Sequence, residues 1–158
     1  MNRLSRVLIL SVLLAGVLMS SGCASPSFGP SIDADVEPIN RNGAPTALVA
    51  CPSSPNCVSS VATNAQKLVA PFDLSGAELS AFQAQLVSAI EADGGAVKDI
   101  REGYVWATYT SSVFRFVDDI EWLFNAEKNA FDVRSASRVG RSDFGVNAKR
   151  VERLRNLL

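Results

Sequence analysis

The strongest constraint on the fold is a pair of strand-like segments, residues 113–124 and 130–139, on either side of a polar turn at residues 125–129. Antiparallel pairing across this turn gives the pairs Asn125–Ala130, Phe124–Phe131, Trp122–Val133, Glu121–Arg134, Ile120–Ser135 and Asp118–Ser137. In this register apolar residues face one another and Glu121 faces a basic residue, and such pairs stabilise a sheet. A shift by one residue would turn every apolar side chain to the other face, so the pattern predicts a single register.

A helix is predicted ahead of these strands. Four apolar residues recur at helical spacing, namely Leu79, Phe82, Leu86 and Ile90. Residues 75–78 read SGAE, which has the form of a capping box: Ser75 bonds a free amide of the first turn, and Glu78 reaches back. Gly94 and Gly95 are expected to end the helix through a left-handed residue.

Three more elements complete the predicted order. Residues 97–101 and 104–110 are candidate strands, and the second of them is rich in aromatic and β-branched residues. Residues 146–158 predict a second helix, with Asp143 or Asn147 as its cap. The order predicts an α+β fold: a two-layer sandwich with a mostly antiparallel sheet of about four strands, a helix before it and a helix after it.

Residues 1–22 have the layout of a signal peptide for export. Arg3 and Arg6 precede an apolar run, residues 7–19, which is shorter than the roughly 20 residues that span a bilayer. Small residues then precede Cys23, and the stretch resembles the lipobox of bacterial lipoproteins, in which the cysteine thiol receives a diacylglyceryl group. An aliphatic residue usually stands where this chain has Ser20. A non-lipidated signal peptide with a chance cysteine is therefore the alternative.

The segment after the signal is expected to tether a single domain. Residues 23–46 contain prolines and glycines without any periodic pattern, which favours a flexible tether that begins at the lipidated Cys23. Residues 47–158 have the length of one domain. Ala24 is not the aspartate that often retains lipoproteins in the inner membrane, so the periplasmic face of the outer membrane is the expected location.

Charge is distributed unevenly along the chain. The sequence has 15 basic and 16 acidic residues, and loss of Arg3 and Arg6 with the signal changes the formal charge from −1 to −3. This value argues against a nucleic-acid partner. Residues 134–158 nevertheless carry seven basic and two acidic residues. They either pack beside acidic strands or form a cationic surface for an anionic lipid or a phosphate-bearing ligand.

Two cysteines, Cys51 and Cys57, frame the short sequence CPSSPNC. In an oxidising compartment such close cysteines usually pair, so a structural disulfide is expected; free or metal-bound thiols are the alternative. The surrounding residues 48–69 are expected to be irregular, with a strand or a short turn near either end.

Several classes of chemistry lack the residues that they need. The chain has no histidine, which excludes the usual Ser-His-Asp and Cys-His catalysis and histidine-based zinc sites. It has neither a G-x-G-x-x-G motif nor a P-loop. No cofactor and no metal site are therefore expected.

The acidic group Asp118, Asp119 and Glu121 is the best candidate for catalysis. On a regular strand, Asp118 shares a face with Ile120 and Trp122, where a carboxylate is costly unless it is paired. It is either a carboxylate of raised pKa, or half of a divalent-ion site, or a structural acceptor of bonds from Ser137, a backbone amide or an arginine. Adjacent strand residues point to opposite faces, so one metal does not easily bind both aspartates.

An anion site is the second candidate. Its residues would be Arg115, Arg134, Arg138, Arg141, Ser137, Ser142 and Asp143, which lie in or near the polar loop before the last helix. The alternative is a set of ion pairs with Asp119, Glu121 and Asp132. The serines lack a recognisable activating base, which disfavours a nucleophilic role.

Three stretches, CPSSPNCVSS, FRFVDDIEW and VRSASRVGRSDFGVNAKRVERLR, together resemble the domain-of-unknown-function 1499 family, from about Ala50 to the C-terminus. That family is found in bacterial exported or membrane proteins and in plant plastids, and it implies no activity and no catalytic residues. An aromatic residue is common there where Arg141 stands, which weakens an anion role for Arg141. The resemblance implies one constellation of Asp118, Asp119, Ser135, Ser137, Arg138, Gly140, Ser142, Asp143, Gly145 and Asn147.

Three hypotheses for the function follow, and the third of them is a purely structural accessory that holds another envelope protein through the basic last helix. The first is a lipid-anchored protein of the cell envelope, held in the membrane through Cys23, whose domain binds an envelope protein or an anionic ligand without catalysis. The second is a hydrolase that uses Asp118 or Asp119, with or without a divalent ion. The hydrolase predicts a cleft in which Asp118, Arg138 and Asp143 converge.

Overall fold

The computed structural model describes residues 45–158, in which a mostly antiparallel sheet of six strands packs with two helices. The predicted signal peptide, Cys23 and nearly all of the predicted tether lie outside the described residues. The strands are β1 (Cys57–Ser59), β2 (Phe72–Asp73), β3 (Ala96–Arg101), β4 (Tyr104–Thr110), β5 (Val117–Asn125) and β6 (Ala130–Ser137). The helices are α1 (Leu79–Ala92) and α2 (Val146–Arg155), and Ala65–Lys67 forms a 3-10 turn.

The predicted register between β5 and β6 is confirmed. Asn125 pairs with Ala130, Phe124 with Phe131, Trp122 with Val133, Glu121 with Arg134, Ile120 with Ser135 and Asp118 with Ser137. The sheet order is β1-β6-β5-β4-β3, and β2 also pairs with β6 beside β1. The central hairpin that the sequence predicts is therefore the middle of the sheet.

The prediction of about four strands is too low, and the first helix does not precede the whole sheet. Two short strands, β1 and β2, come before α1 in the chain and pair with the outer edge of β6. With three and two residues, they are too short to show an alternation of apolar and polar residues. Their partner strand, and not their own sequence, makes them strands.

The third predicted strand begins four residues later than expected, at Val117. Residues 113–116 instead form an exposed turn in which Ser111 Oγ accepts a hydrogen bond from the Phe116 amide (2.9 Å) and Arg115 has a positive φ of 57°. The apolar residues of this turn imitate a strand in the sequence. The other boundaries differ less, since β6 ends at Ser137 and α2 ends at Arg155.

Helix α1 forms as the apolar spacing predicts, but its capping box is wrong. Ser75 has a positive φ of 54° and lies in the turn before the helix, where its amide donates to Asp73 Oδ1 (2.6 Å). Glu78 is the N-cap residue, and it makes no side-chain capping bond. Gly94, with φ of 86°, provides the left-handed exit that was predicted. A Cβ at Gly95 would lie 2.6 Å from Ile90 Cγ2, so the chain needs glycine there.

One face of the sheet carries the hydrophobic core. Alternate residues of β4, β5 and β6 pack on this face against buried residues of both helices: Val105, Ala107, Ile120, Trp122, Phe131 and Val133 from the strands, and Phe82, Leu86, Ile90, Val151 and Leu154 from the helices. Gln83 joins α1 to the hairpin between β3 and β4, because its amide bonds the Arg101 carbonyl (2.7 Å) and the Gly103 amide (3.1 Å). The same face continues towards the start of α2, where a group of buried polar residues meets.

Candidate functional site

Asn147 is the centre of a buried polar cluster in the first turn of α2. Its Oδ1 accepts hydrogen bonds from Ser135 Oγ (2.5 Å) and Arg150 Nη1 (2.6 Å). Its Nδ2 lies 2.9 Å from Asp143 Oδ2, 3.1 Å from Ser137 Oγ and 3.2 Å from the Asn56 carbonyl. We call Asn147 and these partners, with Asp118, the Asn147 network. It joins α2 to β6 and to the disulfide loop.

Asp118 enters this network through a buried ion pair with Arg150. Arg150 Nη2 donates to Asp118 Oδ2 at 2.6 Å, and both residues are buried. The guanidinium also lies over the Tyr109 ring, 4.5 Å from its centroid, and donates to Ser135 Oγ (3.1 Å). The carboxylate on the apolar face is therefore paired with an arginine, whose guanidinium is held in place by a cation–π contact with Tyr109 and a hydrogen bond to Ser135 Oγ.

Asp143 acts as a cap for α2, as the sequence predicts. Its Oδ2 accepts from the Asn147 amide (2.8 Å) and its Oδ1 from the Gly145 amide (3.0 Å). Gly145 is the formal N-cap residue and has a positive φ of 77°. A carboxylate at this position satisfies free amides and lies near the positive end of the helix dipole.

The opposite face of the sheet carries a second group of polar residues, which we call the outer-face cluster: Tyr104, Trp106, Asp119, Glu121, Arg134 and Arg138. Arg138 holds Asp119 with two hydrogen bonds, Nε to Oδ2 (2.8 Å) and Nη2 to Oδ1 (2.9 Å). Trp106 Nε1 donates to the same Oδ1 at 2.9 Å. This forked arginine–carboxylate pair is among the stronger polar contacts that a protein makes.

Glu121 lies beside Asp119 on this face and is buried. Tyr104 Oη donates to Glu121 Oε1 (2.9 Å), and Arg134 Nη1 lies 3.4 Å from Oε2. Burial raises the pKa of Glu121 above its ordinary value, against the hydrogen bond from Tyr104 and the charge of Arg134. Burial, followed by the charge of Glu121, raises the pKa of Tyr104 as well.

The predicted convergence of Asp118, Arg138 and Asp143 does not occur. Asp118 and Asp143 belong to the Asn147 network on the helix-covered face, whereas Arg138 binds Asp119 on the outer face. The two faces of β5 separate them, because successive residues of a strand point in opposite directions. The constellation implied by the family resemblance is therefore two clusters and not one.

The remaining candidates for an anion site are dispersed. Arg134 pairs with Glu121, and Asp132 pairs with Lys128 (3.0 Å). Arg115 and Arg141 are exposed in separate loops. Ser142 is exposed as well, and its Oγ accepts the Phe144 amide (3.3 Å). No cradle of converging arginines forms from these residues in the described part of the chain.

The expected disulfide between Cys51 and Cys57 is present, with a Cα–Cα distance of 5.7 Å. Lys67, a buried residue of the 3-10 turn, holds the disulfide loop, since its Nζ donates to the carbonyls of Pro52 and Ser54 (2.7 Å to the latter). A cavity of about 310 Å³ lies beside this loop. Within residues 45–158, no group of three or more acidic or cysteine side chains is placed to hold a metal ion.

The comparison with protein families decides the identity of the domain. The model of a family described as "Protein of unknown function (DUF1499)" matches residues 47–158, most of the 158-residue chain. The chain belongs to the DUF1499 family. The resemblance seen in the sequence is thereby confirmed. Searches of curated proteins and of solved structures found no match for this chain.

Three residues that matter in this DUF1499 domain had no signal in the sequence. Arg150, the partner of Asp118, reads as an exposed basic residue of a helix. Asn56 lies inside the disulfide loop, and its Nδ2 bonds the Gly140 carbonyl at 2.7 Å. Lys67 resembles any surface lysine. Only the tertiary fold brings their partners close, although the buried Asp118 did imply that some arginine or amide had to meet it.

No helix within the described part of this DUF1499 domain is both long and apolar enough to cross a bilayer.

Proposed function

We propose that this DUF1499 protein is an exported lipoprotein, held at the periplasmic face of the outer membrane through Cys23, whose domain works by binding and not by catalysis. The Asn147 network and the outer-face cluster would then be the framework that holds the domain together. Binding would use exposed residues that belong to neither cluster.

The observation that supports a non-catalytic domain is that both candidate carboxylates, Asp118 and Asp119, are bonded to arginines. Asp118 is 2.6 Å from a buried arginine, and Asp119 is held at two points by another arginine and by Trp106. A carboxylate that serves as a general base or a nucleophile needs a free lone pair directed at the substrate. Both oxygens of Asp119, and Oδ2 of Asp118, are bonded to neighbouring side chains.

If the protein were instead a hydrolase that uses Asp118 or Asp119, substitution of that aspartate would abolish turnover. The protein is assayed with chromogenic esters and phosphate esters, with and without Mg²⁺ or Ca²⁺. All proteins in this assay carry Cys23→Ser. We expect the Cys23→Ser protein to show no more turnover than the same protein with Asp118→Asn or Asp119→Asn added. Turnover that either asparagine variant abolishes, while its circular dichroism is unchanged, would overturn the non-catalytic proposal.

The lipid anchor is tested by labelling. Cells that express the full chain are grown with radioactive palmitate, and the protein is isolated by affinity purification. The wild-type protein should carry the label and sediment with the outer membrane, whereas Cys23→Ser should carry none. Equal labelling of the two proteins, or none in either, would contradict lipidation at Cys23. Cys51→Ser with Cys57→Ser is the matched control, because it removes thiols without removing the proposed acceptor.

A further inference from the structure

Two exposed loops lie at the same end of the sheet. The first, residues 111–116, joins the end of β4 to the start of β5, and the second, residues 138–146, runs from the end of β6 into α2. They are connected where the Arg138 amide donates to the Val117 carbonyl (3.0 Å). We call these two loops the loop end of the domain.

Large apolar side chains protrude from the loop end. Phe144 is 88% exposed, Val113 77% and Phe114 70%, and Phe116 and Val146 are exposed as well. The rings of Phe114 and Phe116 stack on each other with centroids 5.5 Å apart, outside the hydrophobic core. Single exposed apolar residues are common on protein surfaces, but a group of five at one end of a domain indicates a surface that something else covers.

The backbone at the tips of these loops is held in an unfavourable conformation. Arg115 has a φ of 57° and Phe144 a φ of 54°, in the left-handed region that costs a side-chain-bearing residue about 1 kcal/mol. Phe144 buries almost none of its ring, so packing within the domain does not offset this cost. A left-handed residue whose large side chain packs on nothing in the domain is a candidate for a functional role.

The exposed charges at the loop end and in the adjoining turns of α2 are mostly positive. Arg115, Arg141 and Lys149 are exposed, and none of them forms an ion pair within residues 45–158. Asp143, the one acidic residue in the two loops, is bound to the amides of Gly145 and Asn147. The loops that carry the protruding rings therefore have three exposed cations in or next to them, against the single carboxylate of Asp143.

We infer that the loop end binds the surface of an anionic lipid bilayer, with Phe114 and Phe144 inserted at the level of the headgroups. Apolar and aromatic side chains flanked by arginine and lysine are what interfacial binding requires, since the rings enter the acyl boundary and the cations contact anionic lipids. Side chains that protrude from two separate tips suit a fluid interface, whereas a protein partner would have to supply closely fitting hollows. The inference does not depend on a lipid at Cys23.

The test measures the depth of one side chain. The full chain with Phe144→Trp is bound to vesicles of phosphatidylcholine and phosphatidylglycerol, and its fluorescence is corrected for Trp106 and Trp122 with the wild-type protein. We expect the emission of the new tryptophan to shift to shorter wavelength, and brominated lipids to quench it. Because the readout is the position of the loop end and not membrane retention, a lipid anchor elsewhere in the chain does not produce it.

The matched control is Ile100→Trp, since Ile100 is 51% exposed and lies at the opposite end of the sheet, beside the turn between β3 and β4. Its emission should not change. Absence of quenching at residue 144, or equal quenching at residues 100 and 144, would overturn the inference. In that case the patch would belong to a protein partner or to a second copy of the chain.

A second set of variants tests the cations. Arg115→Gln and Arg141→Gln should each shift the equilibrium between membrane-facing and free loop ends about fivefold towards the free state, because one basic residue near an anionic surface contributes about a factor of five. Lys98→Gln, an exposed site on β3, makes the same change in net charge and should have no effect. Quenching that is equally strong on vesicles of phosphatidylcholine alone would contradict the role of the arginines.

Discussion

At the scale of single residues, Asn147 shows how one amide can organise a buried region. Its oxygen accepts from a hydroxyl and a guanidinium, and its nitrogen lies beside a carboxylate, a hydroxyl and a carbonyl. An aspartate would offer no donor to Asp143, and a lysine no acceptor to Arg150. The side chain therefore has to carry both a donor and an acceptor in a fixed geometry.

Asn147→Ala should destabilise the domain by about 2–4 kcal/mol, because it removes one buried hydrogen-bond partner each from Ser135, Arg150 and the Asn56 carbonyl. Urea denaturation followed by circular dichroism measures the loss. Asn156→Ala, at the exposed C-cap of α2, is the control and should change the free energy of unfolding by less than about 0.5 kcal/mol. A loss at residue 147 as small as that at residue 156 would show that the network contributes little.

Glu121 predicts a dependence of stability on pH. Burial raises its pKa in the folded protein above the ordinary value of 4.5, so the folded state binds this proton more tightly than the unfolded chain. The stabilisation is complete below pH 4.5 and is lost as the pH rises through the folded-state pKa. The free energy of unfolding of the wild type should therefore fall relative to that of Glu121→Gln as the pH rises from 4.5 towards 7.

Asp132 provides a control of the opposite sign. Burial raises the pKa of Asp132, but hydrogen bonds from Asn125, Lys128 and Ser60 outweigh this effect and hold the pKa below its ordinary value of 3.8. Its contribution is present above pH 3.8 and is lost as the pH falls through the folded-state pKa. Relative to Asp132→Asn, the wild type should gain stability as the pH rises through that range. Urea titrations across pH measure both differences, and slopes of the same sign would contradict the assignment.

Among the helices and strands, the sequence predicts those that are long enough to show a periodic pattern of apolar residues. The β5–β6 register followed from paired residues such as Trp122 and Val133, and helix α1 from its apolar spacing. Strands β1 and β2 could not be predicted in this way, because these short segments become strands only by pairing with the edge of β6. The sequence indicated only part of the Asn147 network. The position of Asp118 on an apolar face required a partner, but nothing in a helical pattern distinguishes Arg150 from an exposed arginine.

The start of α1 offers a prediction at this scale. Glu78 is in the extended conformation of an N-cap residue, with φ of −65° and ψ of 142°, but its side chain bonds no amide of the first turn. Glu78→Ser should supply that bond and raise the free energy of unfolding by about 0.5–1 kcal/mol. Thermal and urea unfolding measure the gain. Glu91→Ser, an exposed site in the last turn of α1, should give no increase, and a gain of equal size there would rule out capping as the cause.

At the scale of the whole molecule, the basic C-terminal part is largely neutralised by the rest of the domain. Its arginines pair with Glu121, Asp119, Asp118 and Asp93, and Arg155 donates to the carbonyls of Ala70 and Pro71. The sequence left two interpretations of this charge, packing beside acidic strands and a cationic surface, and each of them applies to different residues. Most of the basic residues pack beside acidic strands, and Arg141 and Lys149 are left exposed near the loop end.

This division predicts a contrast in salt. Buried ion pairs such as Asp118–Arg150 are weakly screened, so the Tm should change by less than about 4 °C between low and near-molar NaCl, which is about 1 kcal/mol for a domain of this size. Contacts between exposed cations and anionic lipid are screened strongly, and the lipid quenching of Phe144→Trp should be lost over the same range. Calorimetry and fluorescence measure the two effects. A parallel loss of both would contradict the contrast.

The disulfide also has a mechanical consequence. A force applied to the chain on the N-terminal side of Cys51 passes through the covalent sulfur bridge directly to Cys57, where β1 begins. Residues 52–56 lie outside this path and carry no tension. Asn56, whose carbonyl accepts from the Ser137 amide (3.0 Å) and contacts Asn147, is one of them. A domain under load at its N-terminal side can therefore strain β1 while the loop that reaches the Asn147 network stays at rest.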